Sequence, residues 1–158
     1  MPRIEQQTAI LFQSYARADM RLVRSLMSKL APLLRACQTA QYTLWNDNMI
    51  PIGRNWRQEI NEQLEMSRAG LLLLSPNAIA SGYIRDNELP TFLLQQKLIL
   101  VGLKPIDIAT HLPAALVELP IYRLPTAHGR LLYYSECTPA QRETFAFELY
   151  QQIQQRLS

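Results

Sequence analysis

Leu71-Leu72-Leu73-Leu74-Ser75-Pro76-Asn77-Ala78-Ile79-Ala80-Ser81-Gly82-Tyr83-Ile84-Arg85-Asp86-Asn87-Glu88-Leu89-Pro90 reads as a strand, a cap and a helix in succession. The four leucines are bounded by Ala69-Gly70 before and Ser75-Pro76 after, with no alternation of polar and apolar positions. A short unbroken apolar run of this kind suits a strand covered on both faces. Ser75 stands where its hydroxyl can cap a helix. Pro76 stands at the first helical position, where a missing N–H costs no hydrogen bond. The spacing predicts Glu88 about three turns into that helix, at ~3.6 residues per turn, near Ser81, Tyr83 and Leu89, with Pro90 set to break or kink it. A carboxylate on a helix fed by a buried strand fits the ligand crevice of an open α/β sheet. A single helical glutamate is more often a solvated surface residue, so its meaning depends on its surroundings.

Outward from this stretch the elements alternate. Ala9-Ile10-Leu11-Phe12-Gln13-Ser14-Tyr15 reads as a first strand, and Asp19 as a cap for the next helix. That helix places Val23, Leu26, Met27, Leu30, Leu33 and Leu34 at spacings of three and four, with Pro32 expected to bend it near its end. Gln41–Trp45 reads as a second strand, followed by a loop, 46–54. Asn55 and Gln58 resemble a capping box for a helix with Trp56, Ile60 and Leu64 on one face. Leu98–Leu103 is a fourth buried strand after Leu71–Leu74. Residues 105–117 lack a period and read as loop. Leu119–Leu124 is a short fifth strand whose Pro120 suits a sheet edge. Thr138-Pro139-Ala140-Gln141 caps a final helix carrying Phe145, Leu149, Ile153 and Leu157. Near-continuous apolar strands alternating with helices predict one α/β domain: a flavodoxin-like, doubly wound parallel five-stranded sheet, order 2-1-3-4-5, with helices on both faces.

The composition narrows the function classes. The 158 residues, 48% apolar, suffice for one domain with a real core. No apolar stretch approaches the ~18–20 residues of a membrane span, and the first residues carry no signal-peptide core. A cytoplasmic protein with no membrane partner is the expectation. The charge of +3 is mild, and its basic residues are scattered, which argues against nucleic acid as a partner. Cys37 and Cys137 stand apart without His or Cys at ligand spacing, so reduced thiols and no metal are expected. The five glycines form neither GxGxxG nor GxxxxGK[ST], which removes the dinucleotide-binding turn and the P-loop. A phospho-receiver of the same topology would need an Asp at the end of a buried strand, and no strand here ends that way. His111 and His128 are isolated and read as structural or surface residues.

Four stretches, in order, resemble a bacterial TIR (Toll/interleukin receptor) domain. Ile10–Tyr15 with Asp19 behind it is similar to the family's first strand and its Ser-Tyr turn. Trp45-x-Asp47-x-x-Ile50-x-x-Gly53-x-x-Trp56 is similar to the second strand and the loop called BB. Leu72–Pro76, Ser81-x-Tyr83-Ile84 and Glu88-Leu89-Pro90 are similar to the third strand and the catalytic helix. Leu98–Pro105 is similar to the fourth strand. The resemblance covers about 8–125, and the helix at about 138–157 fits the terminal element. Many members carry Trp four residues before the catalytic Glu, where this chain has Ile84 beside Tyr83. Many carry an apolar residue where this chain has Gln13.

The family contains enzymes that cleave NAD+ at the nicotinamide–ribose bond, by hydrolysis or cyclisation, and modules that only assemble complexes. The resemblance implies Glu88 as the catalytic carboxylate, with Ser14, Tyr15, Arg17, Asp47, Trp56, Ser81 and Tyr83 bordering the substrate. It implies a role in bacterial immune signalling, NAD+ as substrate with no further cofactor, and other TIR protomers as partners. The loop Met49-Ile50-Pro51-Ile52-Gly53 would make the contact between protomers. Trp45 and Trp56 are as readily core residues. Arg54 reads as a solvated loop residue or a phosphate contact. The alternative to the enzyme is a non-catalytic TIR–TIR scaffold using the same apolar loop.

Overall fold

The computed structural model describes residues 7–46, 56–81 and 96–157. β1 (Gln7–Ser14), β2 (Ala40–Trp45), β3 (Ala69–Leu74), β4 (Leu98–Gly102) and β5 (Ile121–Tyr122) form one parallel sheet in the order β2-β1-β3-β4-β5. This is the flavodoxin-like order expected from the alternation of elements.

The leucine run explains the layering. Successive side chains of a strand point to opposite faces. Leu71 and Leu73 accordingly enter one core with Val23, Leu26, Leu30 and Leu34 of α1 (Met20–Arg35) and Phe145, Leu149 and Ile153 of α5 (Pro139–Leu157). Leu72 and Leu74 enter the other, with Phe12, Trp45, Ile60 and Leu64 of α2 (Trp56–Met66), and Ala78 of α3 (Pro76–Ala80). All six residues of β3 are buried. Each leucine so placed contributes roughly 1.5–3 kcal/mol of apolar transfer, an upper figure because the unfolded chain already buries part of its surface.

The helices begin where the capping residues predict. Ser75 Oγ accepts from Ala78 N–H at 3.0 Å. Thr138 Oγ1 accepts from Gln141 N–H at 3.2 Å while Gln141 Oε1 accepts from Thr138 N–H at 2.9 Å, a reciprocal capping box. α1 continues through Pro32 to Arg35. The Asn55–Gln58 box lies outside the described residues, as does the side chain of Trp56.

Four local expectations are corrected. Asp19 precedes α1 but makes no side-chain cap there; its carboxylate is taken by other donors, described below. The helix that Ser75 caps ends at Ala80, because Ser81 has extended backbone (φ −71, ψ 111). Glu88, expected on that helix, lies outside the described residues. Ser81 and the following Gly82 are weak helix formers, which accounts for an early stop. Residues 105–117 contain α4 (Ile108–His111), capped by Asp107 Oδ1 at 3.1 Å from Ala109 N–H, and a 3-10 turn, Ala114–Leu116. Finally, the fifth strand of the sheet is only Ile121–Tyr122. Leu124–Pro125 (β6) pairs antiparallel with Leu131–Leu132 (β7) instead, across a turn in which Gly129 takes φ 81, a conformation open to glycine at little cost. The edge position read from Pro120 holds, since β5 ends the sheet.

Candidate functional site

In an open parallel sheet the ligand crevice lies at the carboxyl ends of the strands, where the chain order reverses. Here β2 and β3 flank β1 on opposite sides, so the reversal falls at β1. Ser14 is the last residue of β1 and pairs in register with Leu72 of β3. It is 2% exposed, and its hydroxyl has no hydrogen-bond partner among the described residues. An unpaired buried hydroxyl costs free energy, so native chains rarely keep one without a reason.

Past Ser14 the chain makes a 3-10 turn, Arg17–Asp19, closed by Asp19 N–H donating to Ala16 O at 2.9 Å. Tyr15 is half-buried against the α1–α5 core and Arg17 is exposed. Asp19 is buried. Its Oδ2 accepts from the Ser75 hydroxyl, and its Oδ1 accepts from Asn77 Nδ2 at 3.1 Å and faces Lys104 Nζ at 2.8 Å. Lys104 itself is held just past β4, where Leu103 and Lys104 N–H both donate to Leu74 O at 3.0 Å. One carboxylate thus ties together the chain leaving β1, β3 and β4. Burial alone would push the Asp19 carboxyl up, but hydrogen bonds from Lys104, Ser75 and Asn77, with the Lys104 charge, hold it below its ordinary value.

The sequence readings fare unevenly at this edge. The structure brings Ser14, Tyr15 and Arg17 to the end of β1 and the turn that follows it, and places Ser81 at the end of α3, where its N–H donates to Ala78 O at 3.2 Å. Trp45 is a core residue, its ring 5.0 Å from that of Phe12. Glu88, Tyr83, Asp47 and the loop residues Met49, Ile50, Pro51, Ile52 and Gly53 lie outside the described residues. The Asp19–Ser75–Asn77–Lys104 cluster was missed, because partners so distant in sequence leave no local pattern. A separate cavity of about 370 Å³ runs along β4, β5 and α5, lined by Leu100, Ile121, Arg123, Glu148 and Arg156 among others. It contains none of these residues.

Among the described residues, no three or more His, Cys, Asp or Glu are arranged to hold a metal ion, and no helix is long and apolar enough to cross a membrane. His111 is exposed and accepts through Nδ1 from Asp107 N–H at 3.0 Å. His128 is exposed. Cys37 and Cys137 are both buried free thiols.

The model of the TIR domain family matches residues 11–121. The chain belongs to the TIR domain family. The match begins inside β1 and ends inside β5, so it reaches all five strands of the parallel sheet of this TIR domain. No curated protein matches it. TIR domains include NAD+-cleaving members and members that act by contact alone.

Proposed function

We propose that this TIR domain cleaves NAD+ at the nicotinamide–ribose bond, releasing nicotinamide and either ADP-ribose or a cyclic isomer, in an immune signalling role. The single observation that favours chemistry over contact alone is the Ser14 hydroxyl, buried and unpaired among the described residues beside the crevice at the end of β1. A polar substrate group there would supply the missing partner.

The C1′–N bond breaks with its electron pair going to the nicotinamide nitrogen, which neutralises the pyridinium charge. Positive charge then builds on the ribose, as in other glycosyl transfers. The leaving group is already cationic, so the reaction needs neither a strong general acid nor a Lewis acid. Glu88 holds the ribose hydroxyls and favours the developing cation. Water then adds at C1′ and loses a proton, or a nucleophilic atom of the same molecule closes the ring. Ser14, Tyr15 and Arg17 border the substrate from the β1 side, Ser81 and Tyr83 from the β3 side, and Asp47 and Trp56 near the loop. Residues 49–53 contact the next protomer.

Separation of the products after incubating the pure protein with NAD+ tests this directly, across protein concentrations. Release of nicotinamide supports the enzyme. A TIR domain that only assembles would self-associate through residues 49–53 and leave NAD+ intact at every concentration.

A further inference from the structure

We propose that Asp19 is a positioning residue for the NAD+ site, its carboxylate holding the segment 75–81 in place against the loop that follows β1. The proposal rests on the NAD+-cleaving reading above.

The segment cannot hold itself. α3 has only five residues, Pro76–Ala80, and so short a helix has no intrinsic stability in water. Beyond the packing of Ala78 and Ile79 against the second core, its placement depends on what grips its first turn. Ser75 is gripped from both sides: its hydroxyl donates to Asp19 Oδ2 and accepts from Ala78 N–H. Asn77, one residue into the helix, donates to the other carboxylate oxygen at 3.1 Å. Both grips therefore end on one side chain, and that side chain sits in the turn after Ser14, Tyr15 and Arg17. The carboxylate is itself anchored by Lys104 at 2.8 Å. The two banks of the crevice are thus fixed relative to each other through Asp19: β1 with Ser14 on one, and the segment 75–81 on the other. A pair between the buried Asp19 carboxylate and the partly exposed Lys104 ammonium contributes little net stability, so its place at a ligand crevice is better explained by the geometry that it imposes. Misplacement of a reacting group by about 1 Å can cost on the order of 100-fold in rate.

The test uses the full chain at 25 °C, with kcat and KM for nicotinamide release and thermal unfolding measured for each variant. Asp19→Asn keeps the size but presents an amide N–H₂ to donors. It should lower kcat at least about tenfold while KM moves less than about threefold. Asn77→Ala removes one donor from an exposed residue, so it should fold if Asp19→Asn does not, and it should lower kcat about threefold. Ser75→Thr, which keeps the hydroxyl, should retain more of kcat than Ser75→Ala. A purely structural Asp19 would give folded variants with lower unfolding temperatures, unchanged kcat, and no advantage of Thr over Ala; that result overturns the proposal while wild-type activity leaves the functional reading intact. A wild-type chain that releases no nicotinamide overturns both.

Discussion

Lys104 Nζ lies 2.8 Å from Asp19 Oδ1, joining the chain just past β4 to the turn just past β1. With the bonds from Ser75 and Asn77, it keeps the Asp19 carboxylate ionised in the fold more strongly than in the unfolded chain. Such a group stabilises the fold above its unfolded value, here the ordinary 3.8, and the stabilisation is lost as pH falls through the lower folded value. Unfolding followed by circular dichroism at descending pH should show a loss of stability below about 4 that is shallower in Asp19→Asn.

Cys37 should set a second pH dependence of the same sign, at higher pH. Burial alone would push its thiol up, but Thr39, Tyr150 and the backbone N–H groups of Thr39 and Ala40 outweigh burial and bring it to about 6, against an ordinary 9.0. Gln154 Nε2 also reaches the sulfur at 3.2 Å. Between these two values the folded chain has released a proton that the unfolded chain still binds. Stability should therefore rise with pH from about 6 to 9, and the gain should vanish as pH falls through 6. Denaturant midpoints across that range, for wild type and Cys37→Ala, check this: the variant should lose the slope.

At Gly102 the backbone of β4 passes too close to its neighbours for any side chain. A Cβ there would stand 2.8 Å from Arg123 Cγ, 2.8 Å from Tyr133 Cδ1 and 3.2 Å from Tyr122 O. Gly102→Ala should destabilise by about 1–3 kcal/mol, the range for overpacking a closed site. Urea unfolding measures it.

The fold was legible in the sequence wherever a pattern was local and long enough. Leu71–Leu74 announced a strand buried on both faces, the spacing of Val23, Leu26, Leu30 and Leu34 announced α1, and Thr138-Pro139-Ala140-Gln141 announced the last helix. Short elements escaped: α4 has four residues and β6 and β7 two each, too few to show a period. Asp19 misled for a different reason. An aspartate before an apolar periodic run reads as a cap, and nothing nearby shows that Ser75, Asn77 and Lys104 compete for its oxygens. Ser14 was readable as a candidate through the family motif, but its lack of a hydrogen-bond partner among the described residues emerged only with the packing around β1.

Self-association should raise activity. Met49-Ile50-Pro51-Ile52-Gly53 offers four apolar residues and a glycine, which we propose as the contact between protomers. If association populates the competent conformation, specific activity rises with concentration. Ile50→Asp places an unpaired charge in that contact and should abolish the rise, with unfolding temperature nearly unchanged. Specific activity over a hundredfold range of concentration, for both proteins, decides it.

Glu88 is the carboxylate on which the proposed chemistry turns. Nicotinamide release from NAD+, measured for the wild type and for Glu88→Gln at a concentration where the wild type is assembled, tests it most directly. The proposed function predicts steady release by the wild type and none above background from a folded Glu88→Gln chain. Equal rates from the two proteins, or no release from either, would contradict it.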